Sequence, residues 1–216
     1  MFVGRPPVRK IVDMHKERFC VLHDKPHGRD ETVIVNPNHT LKNVVVFIKQ
    51  GTNLTGMPPS ASFVALDQYN CRYIPHIAVV TVNQPLKVIN SDHLIAHDNH
   101  FYAKINPSLN FTFPGQNTPG LILSKILQFK KPEFIPVQCE IHPWMKATVA
   151  VLPNPFYSVT NVEGTFHIEN LLPGIYTVEV WHEYYGLFIK KIVCKGEVQV
   201  NFAFPLRNKK NTAYRD

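Results

Sequence analysis

The stretch whose reading decides the fold is "CEIHPWMKATVAVL", Cys139 to Leu152. Its second half, from Ala147, alternates as a half-buried β-strand does. Its first half sets a thiol, an imidazole and a thioether within one turn: Cys139, His142 and Met145, spaced C-x2-H-x2-M. Cys and Met are common in cores and a His before a Pro is commonly a loop residue, so each has an ordinary explanation alone. Together, at the mouth of a strand, they call for one explanation.

Outward from this stretch, period-two alternation recurs along the chain. In "VQVNFAF", Val198, Val200, Phe202 and Phe204 share one face, and Gln199, Asn201 and Ala203 the other. Strands are also expected at residues 43–49, 76–82, 85–90, 110–113, 147–152, 164–169 ("GTFHIE") and 175–182. Turn residues bound most of them, among them Pro58-Pro59, Pro114-Gly115 and Pro173-Gly174. Only "GLILSKIL", 120–127, reads as a short helix. The pattern predicts an all-β chain of the sandwich or barrel kind.

Composition agrees. The 216 residues suffice for one large β domain or two small ones, and 18% charged with 44% hydrophobic residues is ordinary for a globular protein. No apolar run approaches the roughly 20 residues that span a bilayer, and Met1 to Arg5 lacks the apolar core of a signal peptide, so the chain is either cytosolic or has lost a signal. The net charge of +7 favours an acidic partner. Its lysines and arginines cluster at Lys125/Lys130/Lys131, Lys190/Lys191/Lys195 and Arg207 to Lys210, without the regular basic stripe of a nucleic-acid reader.

Thiolate, imidazole and a long thioether contact form the ligand set of an electron-transfer copper site, because sulfur suits Cu(I) and nitrogen suits Cu(II). A second imidazole is needed, and "INSDHLIAHDNHFYA", 89–103, offers His93, His97 and His100. These two segments resemble the copper-binding parts of the cupredoxins, in their amicyanin and plastocyanin branch. There a strand ending in Asn runs into an "HNVH"-like sequence whose first His is a ligand, and "HDNH" keeps that gap. The resemblance covers roughly residues 60–152. It implies a Greek-key β-sandwich, one type 1 copper and the ligands His97, Cys139, His142 and Met145, with His100 beside the site and not itself a ligand. It also implies an exposed His142 ring edge beside Pro143 and Trp144, where electrons could cross to a partner. One residue departs from the pattern: Asp98 stands where the family has Asn, removing an amide donor and adding negative charge near the thiolate.

A second resemblance lies after "PNPFYS", 153–158. Gly164, Phe166, Ile168, Leu172, Pro173, Gly174, Tyr176 and Val178 fit the repeating pattern of carboxypeptidase regulatory-like and transthyretin-like modules. The expected organisation is a cupredoxin-like domain with an N-terminal extension over 1–152, a small β-sandwich module over 153–206 that could take strands from 1–50, and a basic tail, 207–216. Of the remaining cysteines, Cys20 and Cys71 lie in loop-like sequence and are expected to pair, leaving Cys194 as a buried strand thiol. The alternative is a second metal site from Cys20 with His23, or from Cys71 with His76. A disulfide together with copper points outside the cytoplasm, to the periplasm or an extracellular space.

The chain has no G-x-S-x-G, H-E-x-x-H or glycine-rich phosphate loop, and a four-ligand site leaves no open position for substrate, so an enzyme is not expected. The sequence points to a one-electron carrier serving an acidic redox protein, a c-type cytochrome or an oxidoreductase complex. The alternative is a structural or docking subunit of a redox or surface assembly, with Cys139 and Met145 as core residues and no functional copper.

Overall fold

A computed structural model describes residues 1–23, 28–52, 54, 58, 60–92, 94–115 and 121–205. His93 and the basic tail over 207–216 lie outside the described residues. In chain order the elements are β1 (Phe2–Val3), α1 (Arg18–His23), β2 (Val45–Gly51), β3 (Val64–Gln68), β4 (Tyr73–Ile74), β5 (Ile77–Thr81), β6 (Leu86–Asn90), β7 (His97–Phe101) and β8 (Leu109–Phe113). They continue with β9 (Leu123–Leu127), β10 (Glu133–Gln138), β11 (Lys146–Leu152), β12 (Tyr157–Val159), β13 (Gly174–His182), β14 (Gly186–Cys194) and β15 (Phe204–Pro205). The fold class is all-β.

The chain divides into two units, each drawing on several segments. One comprises Met1–Arg9, Thr32–Asn53 and Phe156–Asp216; the other comprises Lys10–Glu31 and Leu54–Pro155.

The second of these units holds two sheets, ordered β5-β11-β10-β7-β8 and β4-β3-β6-β9. Leu66, Leu86 and Val88 from the smaller sheet share one buried cluster with Val80, Phe101, Ile135, Val137 and Val149 from the larger. The alternation of β6 shows how: Leu86, Val88 and Asn90 are buried while Lys87 and Ile89 are only half-buried. From Ala147 onward every residue of β11 is buried, as expected of a strand held between neighbours with both faces covered. It pairs antiparallel with β10 and parallel with β5. The stretch 123–127 is a strand, correcting the helix expected there. Leu123 to Leu127 pair antiparallel with Asn90 to Leu86, and an apolar run this short takes whichever state a neighbouring strand completes.

Residues 10–31 belong to the same unit. Met14 and Cys20 are buried in its core, and Cys20 is bonded to Cys71. Cys71 sits with Asn70 in the two-residue turn joining β3 to β4, where Tyr69 and Arg72 exchange backbone hydrogen bonds. Both central residues are left-handed, φ 52° at Asn70 and 54° at Cys71, as a hairpin turn of the I′ kind requires.

In the other unit the sheet runs β12-β2-β13-β14, with every pair antiparallel. Val45 to Ile48 are buried along with Tyr176, Val178 and Val180. The Tyr176 hydroxyl donates to the Leu172 carbonyl at 2.8 Å. Gly51 must be glycine, because a Cβ there would stand 2.1 Å from the Tyr176 ring. Two expected strands are corrected: 164–169 and 198–203 join no ladder, and only Phe204–Pro205 pairs, parallel with β1. Over 164–169 the side chains nonetheless alternate, Phe166 and Ile168 half-buried and Thr165, His167 and Glu169 exposed, and Val200 and Phe202 do the same between exposed neighbours, while Val198 is exposed. Period two records which face is covered, not whether a neighbour completes the hydrogen bonds. Cys194, a free thiol, is buried at the end of β14, and its Sγ donates to the Gly196 carbonyl at 3.3 Å.

Candidate metal centre

The loop Cys139 to Met145 joins β10 to β11, and two backbone bonds close it: Cys139 N–H to Met145 O at 3.1 Å and Met145 N–H to His142 O at 2.8 Å. At its base Gln138 pairs with Lys146 on one side and with His100 of β7 on the other. That register brings His97, the first residue of β7, beside the loop. Among the described residues, the donor atoms of His97, Cys139 and His142 lie within 4.8 Å of one another. All three side chains are buried.

The spacing suits a metal. The Nδ1 atoms of His97 and His142 are 3.0 Å apart, and Cys139 Sγ is 3.7 Å from His142 Nδ1. A first-row ion bonded at about 2.3 Å to sulfur and about 2.0 Å to nitrogen, with an angle near 115°, would hold those two atoms roughly 3.7 Å apart. The donor set therefore fits. Met145 is buried in the same loop, and its thioether favours copper over zinc.

The thiol is prepared for the deprotonated state by backbone donors and opposed by its surroundings. Burial pushes the Cys139 thiol up, while N–H groups of Asp98 and His142, each 3.3 Å from Sγ, pull it down, and the charge of Asp98 raises it again. The net direction is upward, so in the metal-free protein the thiol keeps its proton. His142 goes the other way: burial, with the neighbouring His97 adding to it, lowers its protonation from 6.5 to about 4. Its imidazole is neutral at ordinary pH and available as a ligand.

Asp98, at the position that departs from the cupredoxin pattern, makes the bond to sulfur through its backbone. Its Oδ1 accepts from the Thr112 hydroxyl at 2.9 Å, and its buried Oδ2 has no hydrogen-bond partner among the described residues. Its carbonyl accepts from Tyr73 at 2.8 Å and from Gln68 at 3.1 Å, and Asn99 donates to Gln68 at 3.4 Å. These groups form a buried network that sets the peptide in front of the thiol.

One expectation is overturned. His142 presents no ring edge, being 2% exposed. Its ring centroid is 5.1 Å from that of Trp144, and Glu17 of the N-terminal segment stands close enough for its charge to act on the imidazole.

His100 is outside the cluster. Its Nδ1 lies 2.9 Å from Glu140 Oε1, its ring stacks on Tyr102 at 3.8 Å, and Tyr102 also hydrogen-bonds Glu140. The alternative second metal site is corrected too, because the sulfurs of Cys20 and Cys71 are consumed in their disulfide. His76 Nδ1 instead lies 3.1 Å from the Lys146 carbonyl. Sequence reading missed Asp92. Its carboxylate is 3% exposed and lies 3.0 Å from His97 Nε2. The only trace of it in the sequence is an acid five residues before His97.

No protein-family model and no curated protein matches the chain. Among solved structures it is similar to a Cu-containing nitrite reductase (NirK) from Thermus scotoductus SA-01, 20% identical over 47% of this chain, with a TM-score of 0.35. The match takes in 25% of the reductase chain, so this chain spans about a quarter of that protein's length. It is also similar to amicyanin: a Cu(I) form of one mutant is 17% identical over 50% of this chain and 98% of that chain, TM-score 0.34. An oxidised mutant of amicyanin is 19% identical over 49% of this chain and 97% of that chain, TM-score 0.34.

Proposed function

We propose that the chain binds one copper ion of type 1 through His97, Cys139, His142 and Met145, and that it carries single electrons. The observation that carries this reading is the convergence of one thiol and two imidazoles in a water-excluded pocket, with two backbone N–H groups aimed at the sulfur. Bound copper would supply a one-electron couple that sulfur and nitrogen ligands both tolerate. The protein's part is to hold the ligands at fixed separations, so that little rearranges between oxidation states, and to keep water away.

Loading with Cu(II) should give an intense visible band from thiolate-to-copper charge transfer, which a reductant bleaches. Cys139→Ser should abolish the band. No stoichiometric copper uptake, or an unchanged colour after Cys139→Ser, would remove the reading.

The reading extends to the partner, an acidic c-type cytochrome or oxidoreductase complex. With a net charge of +7, encounter rates should fall as salt shortens the screening length to about 8 Å at 0.15 M. Rates measured by stopped flow at several salt concentrations test it. We assign the protein to the periplasm or an extracellular space, in keeping with the Cys20–Cys71 disulfide; no helix among the described residues is long and apolar enough to cross a membrane. The unit containing β12 to β14 is proposed to be a carboxypeptidase regulatory-like sandwich.

The burial of His142 favours a second reading, a docking or structural subunit in which copper is held without being relayed. Slow reduction of the copper-loaded protein by every small redox mediator would favour it over the carrier.

A further inference from the structure

We propose that Asp92 is the positioning residue of the metal centre: it clamps the ring of His97, keeps the proton on Nε2 and leaves the Nδ1 lone pair facing Cys139 and His142. The inference rests on the copper reading for its consequence, though not for its geometry.

The two nitrogens of His97 face different groups. Nε2 lies 3.0 Å from Asp92 Oδ2, and Nδ1 lies 3.0 Å from His142 Nδ1. A carboxylate accepts and does not donate, so the proton between His97 and Asp92 sits on Nε2. A neutral imidazole has one N–H, and Nδ1 is left as the acceptor. It is the nitrogen that the loop of Cys139 requires.

Asp92 is in turn held from the other side. Its Oδ1 accepts the Asn70 N–H at 2.8 Å and its Oδ2 accepts the Cys71 N–H at 2.7 Å. Two successive left-handed residues turn both N–H groups into one concave cradle. The Cys20–Cys71 disulfide anchors that turn. A further bond, from the Asp92 N–H to Asn90 Oδ1 at 3.0 Å, fixes the start of the loop. The carboxylate thus has three donors on two oxygens and is 3% exposed. The grouping of Cys71, Asp92 and His97 is no metal site of its own, because the Cys71 sulfur is in the disulfide. Its role is to orient one ligand of the neighbouring site. Partners of this kind hold ligand tautomers, and their removal typically lowers metal affinity about 10–100-fold.

Two measurements test the inference. The first is nitrogen-15 NMR of the metal-free protein, which reads the His97 tautomer whether or not copper binds. Nε2–H is expected in the unaltered chain, and a shift toward Nδ1–H or a mixture in Asp92→Ala. The second is Cu(II) affinity by chelator competition, with about a 10–100-fold loss expected for Asp92→Ala. Asp92→Asn keeps an acceptor and should retain the Nε2–H tautomer and part of the affinity. An Nδ1–H tautomer in the unaltered chain overturns the inference even if neither variant folds. So does an Ala variant that folds with tautomer unchanged and affinity within about twofold. If the unaltered chain takes up no copper while the tautomer follows Asp92 as expected, the copper reading fails and the clamp stands.

Discussion

The backbone N–H of Asp98 points at the sulfur of Cys139 across 3.3 Å, while the side chain of the same residue turns to Thr112 and leaves Oδ2 buried without a hydrogen bond among the described residues. One residue therefore stabilises a thiolate through its amide and opposes it through its carboxylate.

Neutralising the carboxylate separates the two effects. Asp98→Asn keeps the amide bond and removes the charge, so it should raise the reduction potential of the copper-loaded protein. At an effective dielectric of about 20, a charge about 6–8 Å away is worth roughly 2–3 kcal/mol, on the order of 100 mV for one electron. Redox titration followed in the visible band measures the change; a lower potential in the variant would contradict the assignment.

The network behind Asp98 should matter more for rigidity than for binding. Tyr73→Phe removes a donor to the Asp98 carbonyl but leaves Gln68 in place, so we expect a loss of about 1 kcal/mol. Urea denaturation of the metal-free protein measures it, and copper stoichiometry should be unchanged.

Acid should weaken the metal-free protein through His142. The folded imidazole protonates at about 4 against 6.5 when unconstrained, burial being the main cause. Between those values the unfolded chain holds the extra proton, so stability is lost as pH falls from about 6.5 towards 4. The full shift corresponds to about 3 kcal/mol. Denaturant midpoints at pH 7.5 and pH 5 should differ less in His142→Gln, and equal differences in both proteins would assign the acid sensitivity elsewhere.

The disulfide should contribute more than any single contact. Cys20 and Cys71 are 51 residues apart, and closing such a loop restricts the unfolded chain by about 4 kcal/mol on the chain-entropy account. Replacing both by Ser should lower the thermal midpoint, measured by calorimetry. An unchanged midpoint in the double variant would contradict the assignment.

The loop from Cys139 to Met145 was legible because three chemically unusual side chains fell at one strand's mouth, and β5, β6, β11 and β13 were legible from alternation or continuous apolar runs. The helix read at 120–127 failed because an eight-residue apolar stretch fits either period, and the pairing of β9 with β6 decides between them. Segments 164–169 and 198–203 kept their alternation without gaining a ladder, because ladder partners are set by the rest of the fold. Asp92 and the burial of His142 were illegible for one shared reason. Each depends on residues far away in sequence: the turn at Asn70 and Cys71 cradles Asp92, and His97, 45 residues before it, stands against His142.

The position of β2 in its sheet has a consequence for biosynthesis. Its neighbours are β12 and β13, which begin more than about 100 residues further along; at translation rates of about 5–20 residues per second, β2 waits roughly 5–20 s for either. During that interval both edges of the buried run Val45 to Ile48 are open, while every strand of the other unit is made before β13. The unit that carries Cys139 to Met145 can thus be completed first, and a holdase that covers Val45 to Ile48 during synthesis should raise the yield of the whole chain.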